Sequence, residues 1–274
     1  MTKVAFQGER GAFSEDAVLK FFGDVELLPC RSLADVFGCV SEGKADFGVV
    51  PVENSQAGSI NETYDLLLKY ALNISGEIAL EVNHCLMAPD GESLTSIKTV
   101  YSHPQALAQC EEFLRKLNVE IVPTYDTAGS AKLIREKALT NCAAVASKRV
   151  AEIYQMQILA EDIQTIPDNY TKFFIVSKDK AKYADESKTS LVFATENASG
   201  ALYECLGAFA TRGINLTKLE SRPSKDKPWE YVFYVDLEGH MEDGVCSQAL
   251  RDLREKTTFL KILGSYPRNV ASSS

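Results

Sequence analysis

The chain has 274 residues, 45% of them apolar and 24% charged, with a formal net charge of −9. That length can bury a sizeable core and fits two domains, while the acidic balance, with no long Lys/Arg block to offset it locally, argues against a nucleic-acid binder. No apolar run approaches the roughly 20 residues of a membrane-spanning helix, and Met1-Thr2-Lys3 runs into a strand-like Val4-Ala5-Phe6 without an apolar leader, so the expected location is cytoplasmic.

Over the first 180 residues short apolar runs alternate with helical ones, the habit of an α/β layered fold whose helices cover a mostly parallel sheet. Val4-Ala5-Phe6 leads to a helix predicted over Ser14 to Phe22 and stopped by Gly23. After Leu27-Leu28, Ser32 caps a second helix that Gly43 ends, and Phe47 to Val52 reads as a buried strand. The loop from Glu53 to Ser59 opens a helix over Ile60 to Tyr70. A long strand pattern follows around Glu77 to Met87, then Val100-Tyr101, a helix after Pro104, Glu120-Ile121-Val122, and a helix from Thr127. Ala143 to Ala146, a helix from Ser147 and the strand Lys172 to Val176 close the series. A long excursion and return of this kind suits two lobes around a cleft. Ser177 to Lys188, rich in Lys, Asp and Glu, is the expected linker.

Beyond it, Leu191-Val192-Phe193 precedes Ser199, a suitable cap for a helix whose Leu202, Leu206, Phe209 and Ala210 share one face and which Gly213 ends. Ile214, Leu216 and Glu220-Ser221-Arg222-Pro223 form a second strand, a polar turn contains Asp226 and Pro228, and Tyr231 to Val235 form a third. A helix over 243–256 and the strand Phe259 to Leu263 complete a βαββαβ order, the split arrangement of ferredoxin-like domains. Ser272-Ser273-Ser274 resembles a loose tail.

Seven cysteines, widely spaced and without a CxxC pair, read as reduced interior residues. His84, His103 and His240 lie far apart, so no zinc site or His-dependent triad is expected. Five polar loops sit where a strand feeds a helix: Gln7-Gly8 to Ser14, Glu53-Asn54-Ser55 to Ser59, Ser102 to Gln105, Asp126 to Ser130, and Ala146-Ser147-Lys148. Such junctions gather free backbone N–H groups and the positive end of the helix dipole. Singly each is an ordinary cap; together they suggest a small anionic ligand. Neither a Walker phosphate loop nor a GxGxxG fingerprint is present.

Taken with Asn169-Tyr170-Thr171-Lys172-Phe173-Phe174 and Glu220-Ser221-Arg222-Pro223, these loops make the chain resemble the prephenate dehydratase family, arogenate dehydratases included, with a C-terminal ACT domain. The resemblance also runs through Val4-Ala5-Phe6-Gln7-Gly8, Gly48 to Ser55, Tyr101 to Cys110 and Ala143 to Ser147. One departure stands out. The family usually has Thr-Arg-Phe where this chain has Thr171-Lys172-Phe173, which replaces a planar bidentate cation by a single-point one.

The resemblance implies a two-lobed, periplasmic-binding-protein-like catalytic domain over 1–180 and a ferredoxin-like regulatory domain over 189–268. It implies loss of the ring hydroxyl and carbon dioxide from prephenate or arogenate, without a cofactor or metal. Thr171, Asn54, Ser102 and Gln109 take the catalytic positions, and Ser14, Glu53, Ser55, Thr127, Ser147, Lys172 and Phe173 the substrate-binding ones. Phenylalanine is the implied effector, held by Gly200-Ala201-Leu202, Asn215-Leu216 and Glu220-Ser221-Arg222-Pro223 in a homodimer or homotetramer. A non-catalytic two-lobed amino-acid or small-molecule sensor is the alternative; it would share the anion-binding loops but have no reason to combine Thr171 with Asn54, Ser102 and Gln109.

Overall fold

The structure, a computed structural model, describes residues 1–224 and 230–268. The turn expected at Asp226 and Pro228 and the tail at Ser272-Ser273-Ser274 lie outside the described residues.

The chain begins with β1 (Lys3–Gln7), α1 (Phe13–Phe22), β2 (Glu26–Cys30), α2 (Leu33–Ser41), β3 (Phe47–Asn54), β4 (Gly58–Ser59) and α3 (Asn61–Lys69). Local chemistry accounts for these limits. Gly23, with φ 74°, ends α1 by donating to the Leu19 carbonyl, and Ser32 starts α2 through a reciprocal capping box with Asp35.

Next come β5 (Asn73–Glu81) and β6 (Cys85–Ala88), where the sequence pattern suggested one long strand. The break falls at Val82-Asn83-His84: the Val82 N–H still donates to the Asn169 carbonyl at the edge of β11, but the His84 N–H turns to the side-chain Oε1 of Gln164. The two halves then join different sheets. They are followed by β7 (Thr99–Ser102), α4 (Pro104–Gln109), α5 (Glu111–Leu117), β8 (Glu120–Pro123), α6 (Thr127–Glu136), β9 (Cys142–Ala146), α7 (Lys148–Ile153), β10 (Gln157–Ala160) and β11 (Tyr170–Ser177). β10, a four-residue edge strand, is not among the elements that the sequence pattern predicts.

One sheet has the order β2-β1-β3-β11-β5, with β4 beside β3, and the other β10-β6-β9-β7-β8. β1 lies parallel to β2 and β3, and β7 parallel to β8 and β9. Each sheet organises one lobe. In the second lobe β9 is buried on both faces: Ala144 and Ala146 pack with Ala131, Ile134 and Val150, while Ala143 and Val145 pack with Leu107 and Leu114. A strand covered on both sides reads as an unbroken apolar run, and Cys142 to Ala146 does.

The chain divides into two compact units, one of Met1–Tyr70 with Ile78–Phe174, the other of Ala71–Glu77 with the chain from Ile175 onward. The second unit contains β12 (Ser187–Ala194), α8 (Ala201–Ala210), β13 (Leu216–Pro223), β14 (Tyr231–Glu238), α9 (Gly244–Lys256) and β15 (Phe259–Pro267). Their order β13-β14-β12-β15, with antiparallel neighbours, is the ferredoxin-like arrangement. Ser199 does not cap α8. Gly200 does, in a left-handed conformation of φ 86° that glycine adopts without strain, and no side chain caps the end. On one face of this sheet Leu191, Phe193, Val235 and Leu237 pack against Phe209, Ala249 and Leu253. The other face carries a buried ion pair, Lys188 Nζ to Glu77 at 2.9 and 3.0 Å, and a Ser190 hydroxyl bonded to Asp236 and to Tyr266. Among the described residues no helix is long and apolar enough to cross a membrane, and all seven cysteines are free.

Candidate active site

In the first unit a cavity of about 160 Å³ opens where several strands and helix starts meet. Asn54 reaches it from the end of β3, Thr171 from the start of β11, Gln109 from the last turn of α4, and His84 from the β5–β6 connection. Beneath the wall lies fully buried Asn169.

The hydrogen bonds among these side chains have one consistent direction, anchored by the backbone. Asn54 Oδ1 accepts from the Gln56 and Ala57 N–H groups, both at 3.0 Å, which fixes its amide. Its Nδ2 must then donate, to Asn169 Oδ1 at 2.7 Å and to Thr171 Oγ1 at 3.0 Å. Asn169 Nδ2 in turn donates to Gln109 Oε1 at 3.1 Å, and Gln109 Nε2 back to Asn54 Oδ1 at 3.4 Å. Two consequences follow. Thr171 Oγ1 is an acceptor toward Asn54, so its own proton is free for another partner, and Thr171 lines the cavity. His84 Nε2, 2.8 Å from Gln109 Oε1, must carry the ring proton, which leaves Nδ1 a buried lone pair without a partner. Burial holds the His84 pKa below its ordinary value, against the opposing bond to Gln109, and the ring is neutral.

Among the described residues no Lys or Arg lines this cavity. Positive potential comes from helix starts: Phe13 and Ser14 open α1, Ile60 caps α3, His103 caps α4 and Thr127 opens α6, and all five border the space. The His103 pKa is lowered by burial despite the charge of Asp126.

A second chamber of about 160 Å³ shares Phe13, Ser14, His103 and Thr127 with the first and adds Gln7, Gly8, Arg31, Tyr125 and Asp126. Its floor is held in place by ion pairs and tight glycines. Fully buried Glu15 accepts from the Gly11 N–H at 2.8 Å and from Arg149 at 2.6 Å, joining α1 to α7. A Cβ on Gly11, at φ 91°, would lie 2.8 Å from Val150 Cγ2. Burial raises the Asp126 carboxyl, whose Oδ2 accepts from the Glu9 and Gly129 N–H groups at 2.8 and 3.3 Å.

Of the residues expected in a catalytic or substrate-binding position, the structure brings Asn54, Gln109, Thr171, Ser14, Thr127 and Phe173 to one cavity. The others stand off its wall. Ser102 is fully buried and donates to the Val145 carbonyl at 2.6 Å, and Ser147 donates to the Gly11 carbonyl at 3.1 Å, so both hold backbone. Exposed Ser55 ties the Asp168–Tyr170 backbone, donating to the Asp168 carbonyl and accepting from the Tyr170 N–H. Lys172 lies 3.8 Å from Glu53, both partly exposed. Asn169, His84, His103 and Arg31 are not among the expected site residues; Asn169 lies in the motif that carries the resemblance and His103 in the Ser102 to Gln105 loop, whereas His84 and Arg31 carry no such signal.

In the second unit, Leu202 lines a cavity of about 110 Å³ with Asn197, Glu230, Tyr231 and Phe233, beside Gly200 and Ala201 at the start of α8. Asn215 precedes β13, its carbonyl accepting from the Glu238 N–H, and Leu216 packs on the apolar core. Glu220 and Arg222 pair in register with Tyr234 and Val232, with Arg222 5.9 Å from the centre of the Tyr234 ring, while Ser221 and Pro223 are exposed. Within one chain, residues 220–223 are not on the wall of the Leu202 cavity.

The family model for prephenate dehydratase matches residues 4–181, and that for the ACT domain residues 189–255. Arogenate dehydratase/prephenate dehydratase 2, chloroplastic, of Arabidopsis thaliana is 45% identical over 276 residues, which cover 97% of this chain and 72% of that protein. Among solved structures, the prephenate dehydratase of Arthrobacter aurescens in complex with L-Phe has a TM-score of 0.88 at 33% identity, covering 97% of this chain and 90% of that one. GqqA, described as a novel type of quorum quenching acylase, has a TM-score of 0.89 at 34% identity, covering 98% of each chain.

Proposed function

The chain belongs to the prephenate dehydratase family, and on that premise we propose that it converts prephenate to phenylpyruvate, or arogenate to phenylalanine, under allosteric control by phenylalanine. The reaction breaks the ring C–O bond and the bond to the ring carboxylate. The electron pair left by departing carbon dioxide enters the ring, and the hydroxyl leaves with one added proton as water. Nothing is oxidised or reduced overall, and aromatisation supplies the driving force.

The protein must therefore orient the ring and stabilise negative charge on the departing oxygen. The Thr171 hydroxyl carries this role. Asn54 holds Oγ1 as an acceptor, so its O–H is directed to another oxygen, and Thr171 stands on a wall shared with Gln109 and the starts of α1 and α6. A threonine hydroxyl is too weak an acid to give up its proton outright at neutral pH, and it acts as an oriented donor in a site of positive potential. Ser102 and Ser147 support the walls from behind. An acylase reading lacks a nucleophile: among the described residues, no hydroxyl on the cavity wall is hydrogen-bonded to a histidine.

Residues 1–180 form the catalytic part in this reading and 189–268 the regulatory part. Phenylalanine binds at Gly200-Ala201-Leu202, with Asn215, Leu216 and residues 220–223 supplied across a homodimer or a pair of such dimers. Two features support a second copy: β13 is an edge strand, and Tyr203, Leu219 and Tyr231 are large exposed apolar side chains. Seven unpaired cysteines suit a reducing compartment such as the cytoplasm.

The test is to incubate the protein with prephenate at neutral pH and read phenylpyruvate absorbance after alkali, with arogenate in parallel. Turnover of either, inhibited or activated by phenylalanine, is expected. Binding of both without turnover would replace the reading with the sensor alternative.

A further inference from the structure

We propose that Arg31 holds the side-chain carboxylate of the substrate, the one that survives the reaction; this rests on the dehydratase reading above. The substrate presents its hydroxyl at one end of the ring and, at the other, two acidic groups: the ring carboxylate that leaves and the side-chain carboxylate that stays. The cavity with Thr171 contains no Lys or Arg, and Lys172, the cation at the position where the family usually has arginine, stands off its wall 3.8 Å from Glu53. In the adjoining chamber Arg31 is the one lysine or arginine on the wall among the described residues.

Other cations around the cleft already have carboxylate partners: Arg10 and Arg149 have Glu15, Lys132 has Glu9, and Lys148 has Glu161. Arg31 has neither an ion pair nor a side-chain hydrogen bond among the described residues; its charge reaches Glu9 only through space, as the last of the influences that lower that carboxyl's pKa. The acidic groups nearby are engaged as well. Glu9 is bonded to Lys132 and to the Tyr125 hydroxyl, and Asp126 accepts backbone N–H groups.

The chemistry decides which carboxylate belongs there. An ion pair on the departing carboxylate would stabilise the charge that must flow into the ring, strengthening the ground state more than the transition state. A pair on the retained carboxylate persists through the reaction and fixes the ring without that opposition. Thr171 lines the first chamber only and Arg31 the second only, while Phe13, Ser14, His103 and Thr127 belong to both, as a molecule with its hydroxyl and its side chain at opposite ends requires.

The experiment compares the full-length wild type with Arg31→Gln and Arg31→Lys, measuring kcat and KM for whichever substrate the wild type turns over, and the inhibition constant of the product. Arg31→Gln is expected to raise KM by about tenfold or more with a much smaller change in kcat, and to weaken product inhibition by a similar factor, since the product keeps the retained carboxylate. Arg31→Lys should recover much of both. An unchanged KM in Arg31→Gln would overturn the proposal. So would a raised KM with unchanged product inhibition, which would assign Arg31 to the departing carboxylate. An inactive wild type would instead count against the dehydratase reading itself. Because Arg31 is exposed, unchanged thermal melting is expected to verify that the variant is folded.

Discussion

Each compact unit contains a buried polar network, and the two are built from opposite materials. Beneath the candidate catalytic cavity the network is neutral: two backbone N–H groups fix Asn54, Asn54 donates to Asn169 and Asn169 to Gln109, whose Oε1 also accepts from His84. On the sheet of the second unit it is charged, with Lys188 and Glu77 paired at 2.9 Å and both nearly sealed from water. Neutral amides set donor directions without competing for a proton, which in the proposed reaction leaves the departing oxygen as the place where charge changes. The ion pair serves a different end. It holds charges that each require the other, so it specifies one packing of the 71–77 segment on the sheet more than it adds net stability.

That contrast predicts a ranking of effects. The largest is on the charged network: Lys188→Met leaves Glu77 buried without its partner and should destabilise the second unit by about 3–5 kcal/mol, with Glu77→Leu added to it restoring most of the loss. Denaturant unfolding of both variants is the check, and equal losses would mean that the pair is not coupled. In the neutral network, Thr171→Ala should lower kcat by roughly a hundredfold or more with a smaller change in KM, as removal of one well-placed donor does. Near-normal turnover would place the leaving-group role elsewhere.

Asn169→Leu probes the relay without touching the substrate. It leaves Asn54 and Gln109 short of partners and should cost about 1–3 kcal/mol of stability. A fall in kcat that exceeds the fraction of unfolded protein would show that the relay orients Thr171 as well as filling space.

Acid offers a milder test. His84 is held below the ordinary histidine value of 6.5 by burial, so the unfolded chain takes up a proton that the folded one refuses. The contribution is therefore full above about pH 6.5 and lost as the pH falls toward the lowered folded value, with His103 acting in the same direction. His84→Gln should flatten the decline in melting temperature between neutral pH and pH 5. The smallest effect is expected for Lys172→Arg. Its partner is a partly exposed Glu53, and kinetic changes within about fivefold are consistent with a surface pair. A markedly lower KM would instead bring this cation into the substrate site.

Much of this could be read from the chain because local signals agree with the fold. Ser32 with Asp35 and Gly23 after Phe22 mark helix limits by chemistry acting within a few residues. The unbroken apolar run at Cys142 to Ala146 marks a strand covered on both faces. The motifs around Thr171, Asn54 and Gln109 marked three residues that the fold brings to one cavity. The misreadings have a common origin in distant partners. The run from Glu77 to Met87 looks continuous because apolar spacing does not record that the Gln164 side chain captures the backbone N–H of His84. Distant partners also place Ser102 and Ser147, whose hydroxyls donate to carbonyls 43 and 136 residues away.

The sequence alone determined most of the order of elements, the split βαββαβ unit and the family motifs, because periodicity, caps and glycine conformations act over short stretches of chain. Only the tertiary structure decided which polar groups face the cavity and which way their protons point. Those directions arise from contacts such as Asn54 to Asn169 and Asn169 to Gln109, across 115 and 60 residues, where no local preference of the backbone reaches.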